Sequence, residues 1–586
     1  MSIRAVRSVA RTCAALVAAV ILLTPAVATA TPAVATATPA MHFGHTQGDP
    51  PASVAGHLGS AAAARQPVCS PLAIVALQQA ELHASDPASP DQFGCVVAIS
   101  GNTALIGARE KTVGDLEEAG AAYVFVRSGA TWKFQQKLVA GDPEGGASFG
   151  ETVALSGNTA LIGAPAKTVT VNNATYDVAG AVYFFVRSGA KWTQQAELNA
   201  PSPGTSNYFG SALALSGTTA LVGASGTTVA DQTSTDQPAA GAVYVYTGSG
   251  ATWTEQTQLV ASDPSANAYF GDAVALSGDT ALIGAPAGYQ GSPPGAAYIF
   301  DGSGSSWSEQ ARFVALDKAP GDAFGWAVAL SGDTALIGAP GIAVAGKEYA
   351  GAAYVFGGSP AGWLPRVELN ASDPVAGDEF GSSLALSGTR ALIGAPGESD
   401  LGPMLPVHAR FASKPGAQAL GSHSGGGVAY VFDGSGAVWS QDRELTAADA
   451  VPYDCFGQSV ALSGATALVG ALDKEFKGYT YAGAVYAESF ATPTLTLKAS
   501  SRTVKVGDTV SLKGAVKNFI SSAMTVRLCR KVGARMTALK TVKISSSGAF
   551  RWTLKPKTAG KWVLVASYKA GGMTFKSKAV TVSARR

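Results

Sequence analysis

The sequence predicts an all-β protein: a seven-bladed β-propeller of four-stranded blades, its last blade closed by an N-terminal strand, followed by a β-sandwich. Three observations predict it. A segment Phe-Gly-x-x-(Val/Leu)-Ala-(Leu/Ile)-Ser-Gly-x-(Thr/Arg)-Ala-Leu-(Ile/Val)-Gly-Ala begins at Phe93, Phe149, Phe209, Phe270, Phe324, Phe380 and Phe456, at intervals of 54 to 76 residues. That interval suits one blade of a radial repeat. A second block, Gly-(Ala/Val)-(Ala/Val)-Tyr, follows in every copy, from Gly120 to Gly483, and a third begins at Trp132, Trp192, Trp253, Trp307, Trp363 and Trp439. The third block is missing from the seventh copy, while an unpartnered Leu77-Gln78-Gln79-Ala80-Glu81-Leu82 precedes the first Phe-Gly. A strand spare at one end and missing at the other predicts a closed ring, with residues near 75–84 completing the seventh sheet.

Within each unit the strands follow from alternation and turn chemistry. In the second copy Thr152–Leu155 is strand A, nearest the axis, and Gly157-Asn158 makes a tight turn into strand B, Ala160 to Ala164. Gly180 to Phe185 is strand C, Ser188-Gly189 is a turn, and Trp192 to Leu198 is strand D, with the Trp as a packing anchor on the outer strand. Small residues such as Gly150, Ala154, Gly163 and Ala164 fall on strands A and B, where a propeller is most crowded.

Composition agrees with this reading. Apolar residues make up 47% and charged residues 14%, with 69 Gly and 30 Pro, which excludes a disordered chain and a coiled coil. Net charge is only +2, but it is unevenly spread: residues 491–586 hold 20 Lys/Arg and one acid, Asp508, a net +19 on an otherwise acidic chain.

Residues 1–30 have the parts of a cleaved secretory signal: Arg4, Arg7 and Arg11, an apolar run from Cys13 to Leu23, and Ala28-Thr29-Ala30 as a processing site. Residues 31–66, rich in Ala, Pro and Thr, read as a flexible spacer. The propeller is assigned to 67–490 and the basic sandwich to 491–586. No run reaches the roughly 18 apolar residues of a membrane span, so a secreted, extracellular or envelope-associated protein is expected. Cys69, Cys95, Cys455 and Cys529 lack zinc-ribbon or redox spacing. Their pairing is open, though Cys95 and Cys455 flank the Phe-Gly segments that closure makes neighbours, where a bond would lock the ring.

The Phe-Gly segments that end in Gly-Ala-Pro (Phe149-Gly150…Gly163-Ala164-Pro165, and those at Phe270, Phe324 and Phe380) resemble the FG-GAP repeat of integrin alpha-subunit propellers and of secreted bacterial proteins. The resemblance implies a seven-bladed propeller used for extracellular adhesion or ligand binding. Integrin-type repeats carry an Asp-x-Asp-x-Asp-Gly calcium loop between strands A and B; here only Ser-Gly-x-(Thr/Arg) stands there, too few oxygens for calcium. No metal or cofactor is expected. In the tail, Gly548-Ala549-Phe550…Gly560-Lys561-Trp562-Val563…Tyr568 resembles a bacterial immunoglobulin-like domain.

Chain direction places the B–C and D–A loops on one rim and the A–B and C–D turns on the other. The latter are short and uniform; the B–C loops vary, with an insertion from Gly397 to Gly426. Candidate binding residues are therefore Asn172, Asn173 and Tyr176 in one B–C loop and His408, Arg410, Phe411, Lys414 and His423 in the insertion. Asp recurs seven residues before the motif Phe (Asp86, Asp142, Asp263, Asp317, Asp373, Asp449) and two before it (Asp91, Asp322, Asp378, Asp454), and is read as turn-forming. No catalytic motif stands in its required context, so no enzyme is expected. The expected function is extracellular binding or adhesion to a protein or glycan through the rim, with the basic tail attaching to anionic envelope polymers. The alternatives are an enzyme acting on extracellular polysaccharide and a purely structural envelope protein. The tail's few aromatics give no base-stacking platform, so nucleic acid is not expected.

Overall fold

A computed structural model describes residues 77–287, 294–315, 319–397, 426–490, 494–517, 525–532, 535–545, 549–570 and 573–586. The leader, the spacer, Cys69, Asp317 and the insertion residues His408, Arg410, Phe411, Lys414 and His423 lie outside the described residues.

Every Phe-Gly segment opens a four-stranded antiparallel sheet. The first blade runs Phe93–Ser100, Thr103–Ala108, Ala121–Ser128 and Thr131–Leu138, each strand bonded to the next. The seventh has only three strands of its own, Phe456–Ser463, Thr466–Ala471 and Ala484–Ser489; Leu77–Leu82 supplies the fourth, pairing Leu82 with Val485 and Glu81 with Tyr486. The ring closes as the repeat arithmetic predicts.

The blades meet along a seam of bare backbone. The Gly of Phe-Gly has φ between 90° and 98° in all seven copies, a region that suits a residue with no Cβ. A Cβ built there would lie under 3.0 Å from the carbonyl oxygen of the preceding blade's third strand: Ala121 for Gly150, Ala181 for Gly210, Ala484 for Gly94. The strand-B glycines press in turn on the carbonyls of these same residues, Gly107 on Gly150 and Gly470 on Gly94. The Gly94 contacts join blade 1 to blade 7, so the closing seam repeats the other six. Main-chain bonds stitch it further, Phe149 N–H donating to Ala119 O (3.0 Å) and Phe93 N–H to Ala482 O (3.1 Å).

Beside the seam each motif Phe is fully buried and meets strand-C rings edge-on, as Phe149 does with Tyr183 (5.2 Å) and Phe185 (6.2 Å). The hydrophobic core is accordingly seven layers, one between each pair of blades. Leu105 and Val124 of blade 1 pack with Phe149, Ile162 and Tyr183 of blade 2, and Leu468 and Val485 of blade 7 pack with Phe93 and Tyr123 of blade 1. Trp132, Trp192 and Trp253 are buried on the outer strands as expected. Trp363 falls outside its strand, which begins at Leu364.

Cys95, Cys455 and Cys529 are free thiols. Cys95 Sγ donates to Gly150 O of blade 2 (3.7 Å), while Cys455 Sγ donates to Asp473 Oδ2 (3.4 Å) of its own blade. The bond considered between Cys95 and Cys455 is therefore not made; backbone contacts and a strand close the ring instead.

The tail forms two sheets around one core. Thr494–Ala499, Val510–Lys517 and Ala549–Leu554 make the smaller; Thr503–Lys505, Thr525–Val532, Arg535–Lys543, Gly560–Ala570 and Val580–Arg585 make the larger, with an added strand, Met573–Lys576, that alternation did not predict. Leu495, Leu512 and Phe550 face Val526, Trp562, Leu564 and Val582 across the sandwich.

Gly150→Ala combines strained φ with a backbone collision and is expected to cost about 3 kcal/mol or more. Gly157→Ala sits at φ 57° with nothing within 4 Å of the new Cβ and is expected to cost about 1 kcal/mol. Chemical denaturation of the two variants measures the difference, which is the contribution of the seam.

Candidate binding rim and channel mouth

The first strands of all seven blades surround an axial cavity of about 240 Å³. Strand A starts at the D–A loop, so the residue after each Phe-Gly lies at the cavity's B–C/D–A end. These residues are Cys95, Glu151, Ser211, Asp272, Trp326, Ser382 and Gln458. Six residue types occupy one column, between a constant Phe-Gly and a Val or Leu two residues further on.

The carboxylates repeated around this rim are engaged by the fold. Tyr123 OH donates to Asp86 Oδ1 (2.7 Å), and Tyr183, Tyr298, Tyr430 and Tyr486 do the same to Asp142, Asp263, Asp373 and Asp449. Lys167 Nζ reaches Asp142 at 2.6 Å and Lys474 reaches Asp449 at 3.2 Å. Burial pushes Asp86, Asp142 and Asp449 up, but hydrogen bonds from the Lys and Tyr partners outweigh it and hold all three below the ordinary carboxylate range. This row is thus a strut between the D–A loop and strand C, where an Asx turn was expected. The second row does form the turns: Asp91, Asp378 and Asp454 accept the backbone N–H three residues earlier.

Blade 1 departs from the repeat at a position that ties it to its neighbour. Where blades 2, 4, 5 and 6 have Pro165, Pro286, Pro340 and Pro396 after Gly-Ala, blade 1 has Arg109. Its Nη1 donates to both Glu151 oxygens (3.1 and 3.2 Å) and its Nε to Gln92 Oε1 (2.6 Å), with Arg109 and Glu151 both buried. Arg109 thereby ties blade 1 to the channel-mouth residue of blade 2. Beside it, burial pushes Glu110 up to about 7; Arg109 lowers it, and the negative charges of Glu118, Glu151 and Asp473 raise it further. Burial also lifts the Cys95 thiol to about 12 and Cys455 well above its usual value. Both are therefore protonated at neutral pH, unlike a nucleophilic thiolate.

The loops around this sector expose apolar side chains. Leu116 in the B–C loop of blade 1, Val451 and Tyr453 in the D–A loop entering blade 7, and Tyr479 and Tyr481 in the B–C loop of blade 7 are 37% to 48% exposed. They make up half of the exposed large hydrophobic residues among the described residues. In the same loops the half-buried His83 stacks on Phe476 at 3.5 Å, and Gln92 N–H donates to Tyr481 O, which fixes the loops of blades 7 and 1 to each other. Asn172 and Asn173 sit together at the exposed tip of a hairpin, Val169–Val171 with Ala174–Tyr176, at φ 52° and 64°, where Asn is tolerated. Tyr176 is half-buried in the same hairpin.

Sequence reasoning did not single out Arg109, Glu110, Glu151 or the rim tyrosines. The signal was present: Arg109 stands where four blades have Pro, and Glu151 in the most varied column beside the constant Phe-Gly. No group of three or more His, Cys, Asp or Glu suited to a metal occurs among the described residues.

On the opposite rim the third strand of blade 7 delivers the chain to its exit. Phe490 is buried there, its N–H donating to Ala465 O (2.8 Å) and its ring lying under Arg390 (4.8 Å) and Arg443 (5.9 Å). The basic tail thus leaves the ring on the face away from the exposed tyrosines.

A model of the FG-GAP repeat matches residues 77–125, 132–185, 192–246, 253–300, 307–356, 363–404 and 439–487, more than half of the chain. The chain belongs to the FG-GAP repeat family. Among solved structures this FG-GAP protein is similar to the phage phi92 endosialidase, at 11% identity and a TM-score of 0.33, over 86% of this chain and 88% of that one. No curated protein matches it. No helix among the described residues is long and apolar enough to cross a membrane.

Because the folded Glu110 holds its proton up to about pH 7, its contribution to stability is complete below about 4.5 and is lost as pH rises through 7. Glu110→Gln is expected to remove a fall of about 1–3 kcal/mol in unfolding free energy between pH 5 and 8. Denaturant titrations of both proteins at the two pH values check it.

Proposed function

We propose that this FG-GAP propeller is a secreted or cell-surface binding module that recognises an extracellular protein or glycan through its B–C/D–A rim. Its basic immunoglobulin-like tail attaches to anionic envelope polymers, and the leader at residues 1–30 exports the chain. The observation that carries the reading is the exposure of Leu116, Val451, Tyr453, Tyr479 and Tyr481 on the rim loops of blades 7 and 1. Tyrosine offers large amphipathic contact area at low entropic cost, and exposed apolar clusters rimmed by polar groups mark interaction sites. The same sector holds the part-neutral Glu110, whose ionisation near pH 7 would tune the affinity for a charged ligand.

The proposed division of labour follows the topology. Short A–B and C–D turns and the chain exit occupy one face, and the varied loops the other. An anchored tail would therefore leave the tyrosine-bearing rim free to meet its ligand. Chemistry on the ligand is not part of the proposal; of the channel-mouth carboxylates, Glu151 is already held by Arg109.

Binding of the full chain to a glycan array and to immobilised envelope material, at 0.15 and 0.5 M salt, tests the reading. Tyr453→Ala/Tyr479→Ala is expected to weaken the salt-resistant component at least tenfold while leaving stability within about 0.5 kcal/mol, because both side chains are exposed. Unchanged salt-resistant binding in that variant would contradict the rim assignment.

A further inference from the structure

The smaller sheet of the tail carries three cations in register. Alternation turns Leu495, Leu497, Leu512, Phe550 and Leu554 into the core, and therefore turns Lys498, Lys513 and Arg551 outward. Strand pairing then sets Lys498 directly opposite Lys513, and Lys513 directly opposite Arg551. The row crosses the sheet at the strand spacing of about 4.8 Å, so three positive charges span roughly 10 Å. All three side chains are exposed, and none has an ion pair or hydrogen bond among the described residues. The only acid in the tail, Asp508, accepts the Lys505 N–H in a turn outside this sheet.

Like charges directly opposite one another on a sheet oppose folding. A row of three with no compensating acid therefore weakens the domain that carries it, and its use lies in what it can hold. Thr496 and Thr553 flank the row on the same exposed face with hydroxyls, and no aromatic ring shares that face. We propose that Lys498, Lys513 and Arg551 form the binding site for a linear polyanion, whose successive phosphate or carboxylate groups pair with successive strands. This rests on the reading of the tail as an anionic-polymer anchor and assigns that role to one face of one sheet.

The test uses the full chain and two probes, linear polyphosphate and poly-α-L-glutamate, titrated from 0.05 to 0.3 M salt. Lys498→Gln/Lys513→Gln/Arg551→Gln is compared with Lys505→Gln/Lys540→Gln/Lys561→Gln, which removes the same charge from exposed positions outside this sheet. The expected result is at least a tenfold loss of affinity for the first variant only, with a salt slope shallower by about two to three. Its melting temperature is expected to be equal to or above that of the parent, which separates lost binding from lost structure. The probe that loses more identifies phosphate or carboxylate as the preferred group. Equal losses in both variants would overturn the assignment to this row while leaving the anchor reading standing. An unaltered parent that binds neither probe at 0.05 M salt would overturn both.

Discussion

Backbone meeting backbone between adjacent blades is the constraint on which the rest of this structure depends. Glycines of one blade lie against main-chain carbonyls of the next, too close for any side chain, and the contact recurs around the ring, including between Gly94 and Ala484 where the chain's two ends meet. Because the strands approach so closely, the aromatic Phe and Tyr rings and the aliphatic residues of strands B and C interlock in a thin layer at each seam. The repeat motif therefore describes an interface between blades as much as a fold within one. The seventh blade borrows Leu77–Leu82 because its own copy of the repeat stops after the third strand.

A rigid ring frees its loops from structural duty, yet much of the charge on the binding rim serves the ring. The repeated Asp residues brace strand C through Tyr hydroxyls or cap turns, and several of the loop lysines pair with them. What remains once that bracing is set aside is local: the Arg109–Glu151 pair, the half-buried Glu110, and the exposed tyrosines of blades 7 and 1. These features lie beside the closure and break the sevenfold regularity of the bracing there. The tail presents the opposite case, a charge row that the fold does not need.

The fold was legible because a strand period of two and a blade period near 56 reinforce each other across seven copies. Even the closing strand could be deduced from a missing Trp block. Strand limits were less so: Thr152 was rightly placed as the start of strand A in blade 2, but in blades 1, 3 and 7 that strand begins at the Phe itself. The site was harder to read because side-chain exposure is a tertiary property. Tyr479 and Tyr486 look alike in sequence, yet one is exposed on a loop and the other is fully buried against Phe456. The Asp seven before Phe has the composition of a turn and the job of a strut, since its Tyr partner lies some 35 to 57 residues away. Asn172 and Asn173 were visible as loop residues, and their geometry gives them a turn to hold as well.

Amide hydrogen exchange of the full chain, followed by mass spectrometry across residues 77–82 and 484–489, tests the closed ring most directly. The account predicts that both segments are protected together, with the slow exchange of the paired strands in the other blades. Free exchange of 77–82, beside protected outer strands elsewhere, would contradict closure and leave the seventh blade with an open edge.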